Sequence, residues 1–72
     1  MKTATRDEIC NKLSFDVDRE WFLKTNPKFV LLEEIGGYYR PALLATDLTT
    51  FELRCEMLED GRRHFEKFSV IS

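Results

Sequence analysis

The sequence has few of the residues that mark metal sites, disulfide frameworks or imidazole catalysis: two cysteines and one histidine in 72 residues. Two cysteines are too few for the disulfide framework of a small secreted domain, and they form no C-x-x-C spacing of the kind that binds zinc. We therefore expect Cys10 and Cys55 to be reduced, structural thiols, and we expect neither a metal nor a cofactor.

Long apolar runs are also missing. No run reaches the 18 residues that cross a membrane, and the first ten residues have no apolar segment of the kind that a signal peptide contains. These features predict a cytoplasmic protein with no membrane association.

The chain has no strong charge of either sign, with 11 Lys and Arg against 13 Asp and Glu and a formal net charge of −2. Such a chain has no general attraction for phosphate backbones. Its 43% hydrophobic and 33% charged residues are typical of a globular domain, and the length predicts a single small domain over 1–72.

A Gly-Gly pair between two apolar segments, 28–35 and 38–45, is the strongest structural signal present. Two glycines supply the positive φ angles that a two-residue hairpin turn requires. Pairing outward from this turn places Glu33 opposite Arg40, a favourable cross-strand match. The same pairing sets Leu31 opposite Ala42 and Phe29 opposite Leu44.

Both faces of this hairpin are apolar. One face carries Phe29, Leu31, Ile35, Tyr38, Ala42 and Leu44, and the other carries Val30, Leu32, Tyr39 and Leu43. A sheet that is apolar on both faces must be covered on both. If two short helices cover one face, the second set remains as a patch of a few hundred Å², and we expect a homodimer to bury it.

The segment before the hairpin predicts the first of two short helices. Thr5 and Glu8 fit a capping box, which begins a helix over 6–13. Residues 1–4 precede this cap and are expected to be frayed.

A second helix is predicted over 17–25. Asp16 or Asp18 is the expected N-cap because Asp side chains accept hydrogen bonds from the first turn of a helix. Pro27 ends this helix because the residue before a proline is pushed out of the α region.

After the hairpin, residues 51–57 alternate between apolar and polar, which predicts a half-buried strand. Asp60 and Gly61 then predict a hairpin turn into a final strand. A short final helix is the alternative, because two phenylalanines there are three residues apart. The resulting fold class is α+β, with two short N-terminal helices packed on a four-stranded antiparallel meander sheet.

The terminal hairpin would place Cys55, His64 and Glu66 on one face. Thiolate, imidazole and carboxylate can form a Cys–His nucleophile pair or part of a metal site. Three such residues on one hairpin, without a C-x-x-C or H-E-x-x-H spacing, are more typical of a structural thiol beside two polar groups. We therefore predict no catalytic residues and no enzyme.

Aromatic and arginine side chains are enriched among the residues that dominate protein–protein binding. The chain offers six candidates of these types for a partner-binding surface, namely Trp21, Tyr38, Tyr39, Arg40, Arg62 and Arg63. At a hairpin tip, one of two adjacent tyrosines must face outward.

The expected function is a small non-enzymatic protein-interaction module, such as an adaptor, assembly factor or inhibitor. Its size is typical of regulators that phages and mobile elements encode. The helix–helix–hairpin order is similar to that of the winged-helix family, which implies a DNA-binding regulator as the alternative. An oligomeric structural protein is the second alternative.

Overall fold

A computed structural model describes residues 1–71 as four strands and three helices. These elements are β1 (Lys2–Thr5), α1 (Arg6–Lys12), α2 (Asp16–Thr25), β2 (Phe29–Ile35), β3 (Tyr38–Ala45), α3 (Leu48–Leu58) and β4 (His64–Ile71). The strands form one sheet in the order β1-β4-β2-β3. β1 runs parallel to β4, and the other neighbours are antiparallel. The predicted α+β class is confirmed, but the purely antiparallel meander is wrong.

Helices cover both faces of this sheet. On what we call the two-helix face, α1 and α2 bury Ile9, Leu13 and Phe22 against Val30 and Leu32. On the one-helix face, α3 packs its own apolar residues against the opposite side of the same strands. The requirement for cover on both faces is therefore met within one chain.

The capping box at the start of α1 is confirmed. The Glu8 backbone N–H donates to Thr5 Oγ1 at 3.1 Å, and the Thr5 N–H donates to Glu8 Oε1 at 3.0 Å. The expected fraying before it is wrong, because Lys2–Thr5 forms β1 and Ala4 is buried in the core. This segment is ordered by pairing with β4, at the far end of the sequence. The residues of the segment itself contain no signal that predicts this pairing.

The helix α2 begins without a side-chain cap, so the expected capping by Asp16 or Asp18 is wrong. Both carboxylates bind arginine side chains instead. The end of the helix is as predicted: α2 stops at Thr25, and Asn26, just before Pro27, lies in the left-handed region with φ 50°.

The central hairpin is confirmed at its turn. Gly36 and Gly37 have φ angles of 58° and 89°, and Glu33 pairs with Arg40. The predicted pairing is wrong beyond that point, because a bulge shifts the register by one residue between Leu31 and Leu32.

The bulge changes which residues share a face. Leu31 pairs with Leu43 instead of Ala42, and Phe29 pairs with Ala45. Pro41 lies at this irregularity, and a proline, having no N–H, is tolerated only at edges and bulges. As a result, Leu43 packs on the one-helix face, away from Val30 and Leu32.

The segment predicted as a strand over 51–57 is a helix. Asp47 caps α3 by accepting a hydrogen bond from the Thr50 N–H at 2.8 Å. Phe51 and Cys55 are buried four residues apart, whereas Leu53 and Met57 are 59% and 84% exposed. Positions four apart satisfy both a period of two and the helical period, so the alternation misled the sequence interpretation.

The predicted turn at Asp60 and Gly61 is not a β-hairpin. These residues lie in the connection from α3 to β4, and among the three glycines only Gly36 and Gly37 have positive φ. The Asp60 carboxylate instead accepts a hydrogen bond from the Arg62 N–H at 2.9 Å. The final segment is a strand, as preferred over the helix.

The apolar patch expected to drive dimer formation is not on the surface. Val30 and Leu32 are buried under α1 and α2, and Leu43 is buried under α3. Of the four residues assigned to self-association, only Tyr39 is exposed. Two covering helices would leave this patch exposed, but the third helix, α3, covers the second face of the sheet.

Candidate protein-binding surface

The six predicted binding residues fall in three places. Trp21 lies on α2, and Tyr38 and Arg40 lie on β3, which α2 packs against. Tyr39 borders a separate cleft. Arg62 and Arg63 lie between α3 and β4. The structure therefore brings part of the predicted set together along α2 and β3.

An aromatic stack joins the start of α2 to the start of β3. The rings of Phe15 and Tyr38 have their centroids 5.4 Å apart with planes inclined by 28°. The guanidinium carbon of Arg40 lies 5.2 Å from the Phe15 centroid. Both aromatic side chains are exposed, so the stack presents its outer surface to solvent.

Arg40 is held in place by a buried carboxylate. Its Nε and second guanidinium nitrogen donate to the two carboxylate oxygens of Asp18 at 2.9 and 3.2 Å. Asp18 is almost fully buried, whereas half of the Arg40 side chain remains exposed. These hydrogen bonds raise the pKa of Arg40 above its usual value. The bidentate pair fixes the guanidinium against Phe15.

The outer edge of β3 is occupied at the same place. The Ser14 N–H donates to the Tyr39 carbonyl at 3.1 Å, and the Tyr39 N–H donates to Ser14 Oγ at 2.8 Å. Pro41, two residues further on, has no N–H to offer. Strand addition is therefore disfavoured along this stretch, and side chains must carry any binding there.

Two further exposed apolar residues lie on α2, the helix that begins beside this stack. Val17 and Trp21 are four residues apart and share one side of the helix. On another side, Arg19 Nε donates to the Cys10 carbonyl of α1 at 3.2 Å. Because Trp21 lies about 160° around the helix from Arg19, it faces away from α1. We call Phe15, Val17, Trp21, Tyr38 and Arg40 the aromatic surface.

Phe15 was not among the candidates that the sequence suggested. It lies between the helices predicted over 6–13 and 17–25, and only the packing of α2 beside β3 gives it a role. The one available signal was an aromatic residue at a helix boundary, where polar caps are usual.

Tyr39 lies at a different site, a shallow cleft of about 370 Å³ on the two-helix face. The Lys12 ammonium is 5.3 Å from the centroid of its ring. His64 and Glu66 line the same cleft, with Glu66 accepting a hydrogen bond from Lys2 at 2.6 Å. The cleft is open and polar, and Lys12 and Glu66 form an ion pair in it, with Nζ and Oε1 3.9 Å apart.

Cys55 is not near these two residues. It lies on α3 and is buried against the one-helix face of the sheet, and burial raises the pKa of its thiol. The set of Cys55, His64 and Glu66 considered from the sequence is therefore not assembled, because its first member belongs to a helix and not to a hairpin strand.

Arg62 and Arg63 also differ from each other. Arg63 donates two hydrogen bonds of 2.7 Å to the Glu33 carboxylate, and its guanidinium carbon lies 4.5 Å from the Phe65 centroid. These hydrogen bonds lower the pKa of Glu33. Arg62 is exposed in the connection before β4. Arg40 and Arg63 thus each face a carboxylate.

The helix–helix–hairpin order expected from the sequence is present as α1, α2, β2 and β3. A strand precedes this unit, and a helix and a strand follow it. Within the sheet, β2 lies between β4 and β3.

Within residues 1–71, no three His, Cys, Asp or Glu side chains are grouped closely enough to hold a metal ion. No helix in this part of the chain has the length and apolar character needed to cross a membrane. Comparisons with protein-family models, curated proteins and solved structures find no match to this chain.

Proposed function

We propose that this protein is a non-enzymatic interaction module that binds a partner protein through the aromatic surface. The observation that carries this proposal is the ordered stack of Phe15, Tyr38 and Arg40, exposed on one side and fixed on the other. Tyrosine, tryptophan and arginine are the residue types most enriched at energetically dominant interface positions.

Contacts within the chain already hold the side chains of this surface. Phe15 precedes α2, Tyr38 begins β3, and the ion pair of Asp18 with Arg40 ties these two elements together. Binding pays an entropic cost for each side chain that it immobilises, and a preorganised surface has already lost much of that freedom. Such a surface therefore retains more of its contact energy as affinity.

The experiment compares two exposed apolar residues on opposite sides of α2. Trp21 and Leu23 are 46% and 45% exposed, but only Trp21 lies on the aromatic surface. A photo-crosslinking amino acid is placed at position 21 or 23 of the full chain, and crosslinking is carried out in a lysate of the native source. We expect a discrete adduct from position 21 only.

Substitutions then test whether the adduct depends on the surface. We expect Tyr38→Ser to abolish capture of the protein crosslinked at position 21, and Leu23→Ser to leave it unchanged. Equal adducts from both positions, or an adduct insensitive to Tyr38→Ser, would rule the surface out. Salt-sensitive binding to random duplex DNA would instead support the alternative function, a DNA-binding regulator. An oligomer whose size does not depend on concentration, and which captures no other partner, would support the second alternative, an oligomeric structural protein.

A further inference from the structure

The outer side of α3 carries two parallel rows of exposed residues. Leu53 and Met57, four residues apart, form an apolar row on the side away from the core. Beside it, Glu52 and Glu56 form an acidic row that Glu59 continues at the C-terminal cap. We call these five residues the outer face of α3.

The negative charge of the chain is concentrated in the segment that contains α3. Residues 47–60 contain five carboxylates and one arginine, a net charge of −4, whereas the whole chain carries −2. The rest of the chain is therefore net positive by two. The acidic and apolar character of α3 is local.

The carboxylates of the acidic row form no ion pair with any residue in 1–71. The ion pairs found among residues 1–71 use Asp16, Asp18, Glu33 and Glu66, and none uses the acidic row. Glu52 and Glu56 lie one turn apart, where like charges destabilise a helix by a few tenths of a kcal/mol. A cationic partner would relieve this repulsion.

We infer that the outer face of α3 binds a basic amphipathic helix of a partner protein. An apolar row flanked by acidic residues is complementary to a helix with an apolar row flanked by lysine or arginine. Two helices can pack their rows of side chains together, and the flexible Met57 side chain adapts to the contact. A second copy is a poor occupant, because its own α3 would bring the same negative charge.

This inference concerns a different surface from the aromatic one and does not depend on it. Leu53 and Met57 project from α3 on the one-helix side, whereas Trp21 belongs to α2 on the two-helix side. Variants of one surface therefore serve as controls for the other.

The test uses a synthetic 14-residue peptide of leucine and lysine arranged as an amphipathic helix, titrated into the isotopically labelled full chain. We expect saturable binding with amide chemical shift changes confined to α3 and its neighbours, and no binding of the matching leucine–glutamate peptide. Glu52→Gln with Glu56→Gln, or Met57→Ser, should weaken binding by about tenfold or more.

The matched control removes the same charge elsewhere. Asp7→Asn with Glu20→Gln changes two exposed carboxylates on α1 and α2 and should weaken binding by less than about twofold. Trp21→Ser should leave peptide binding unchanged, so failure of the aromatic surface and failure of α3 are distinguishable. All of these positions are exposed, so the variants are expected to fold.

Several results would overturn the inference. One is that the leucine–lysine peptide does not bind. Another is that the two double variants, Glu52→Gln with Glu56→Gln and Asp7→Asn with Glu20→Gln, weaken peptide binding equally. A third is that the amide chemical shift changes extend over α1 and α2. A dimer that forms without peptide and is lost with Met57→Ser would identify a second copy as the occupant instead.

Discussion

The two faces of the sheet are built in different ways. On the two-helix face, seven buried residues from two helices and three strands form the core. On the one-helix face, four buried residues suffice, two of them supplied by α3. The first face distributes its contacts over short, locally specified helices, whereas the second depends on one helix whose outward side is also apolar.

This difference explains what each face leaves exposed. α2 buries Phe22 but leaves Val17 and Trp21 exposed, and these two residues belong to the aromatic surface. α3 buries Phe51 and Cys55 but has leucine and methionine on its opposite side. Both candidate binding surfaces therefore include the outer side of a core-forming helix.

The largest expected effect comes from removing one core phenylalanine on each face. Phe51 and Phe22 are both fully buried, so Phe51→Ala and Phe22→Ala should each lower the free energy of unfolding by about 3–5 kcal/mol. Urea unfolding measures both. Leu53→Ala, on the exposed side of α3, should cost less than about 0.5 kcal/mol. Similar losses for Phe51→Ala and Leu53→Ala would restore the strand interpretation of this segment.

The next effect concerns the attachment of α2 to β3. Asp18→Ala removes a buried carboxylate that accepts two charged hydrogen bonds, so we expect a loss of about 2 kcal/mol in the free energy of unfolding. Asp16→Ala, which removes a fully exposed carboxylate on the same helix, is the control and should have little effect. Equal stability of the two variants would mean that the pair does not hold α2 in place.

A smaller effect separates the two glycine-containing connections. Gly37 has φ 89° in the turn before β3, so Gly37→Val should cost on the order of 1 kcal/mol or more. Gly61 precedes β4 without positive φ and with open space around it, so Gly61→Val should change stability by less than about 0.5 kcal/mol. The melting temperatures of the two variants provide the comparison. A larger loss at position 61 would contradict the observed connection.

The smallest effect is a pH dependence. Hydrogen bonds from Arg63 lower the pKa of Glu33 in the folded state. The pair therefore stabilises the protein fully above the pKa that Glu33 has in the unfolded state, about 4.3. This stabilisation is lost as the pH falls through the lower pKa of the folded state. The free energy of unfolding of wild type should therefore exceed that of Glu33→Gln by about 1 kcal/mol at pH 7. This difference should vanish towards pH 2. Urea unfolding across this range measures it, with the exposed Glu20→Gln as control. A difference that grows on acidification would contradict the pairing.

Local chemistry made part of the fold predictable. The capping box of Thr5 and Glu8 and the paired glycines of the turn each involve residues at most three positions apart, and both are found as predicted. The same is true of the stop before Pro27. Interactions of this range depend little on the rest of the chain.

The remaining features depend on distant partners. Residues 2–5 become a strand only because β4 lies beside them, and residues 51–57 become a helix because Phe51 and Cys55 fit the one-helix face. The spacing of these two residues suits both structures. Packing, which has no local signature, decides between them.

The candidate surface was predictable by residue type but not by arrangement. Trp21, Tyr38 and Arg40 were selected as aromatic and arginine residues, and the structure places them along α2 and β3. Asp18 was assigned to a helix cap, since its pairing with Arg40 spans 22 positions. Phe15 acquires its role only once α2 lies against β3.

The parallel pairing of β1 with β4 has a mechanical consequence. Lys2 lies beside Phe68 at one end of the pair, and Thr5 lies beside Ile71 at the other. A force that pulls Lys2 and Ile71 apart therefore drags the two strands past each other along their length. The hydrogen bonds between them are loaded together, whereas in a hairpin pulled at its open end they break one by one. When the molecule is stretched between Lys2 and Ile71, we therefore expect a higher unfolding force than for a hairpin pulled at its open end.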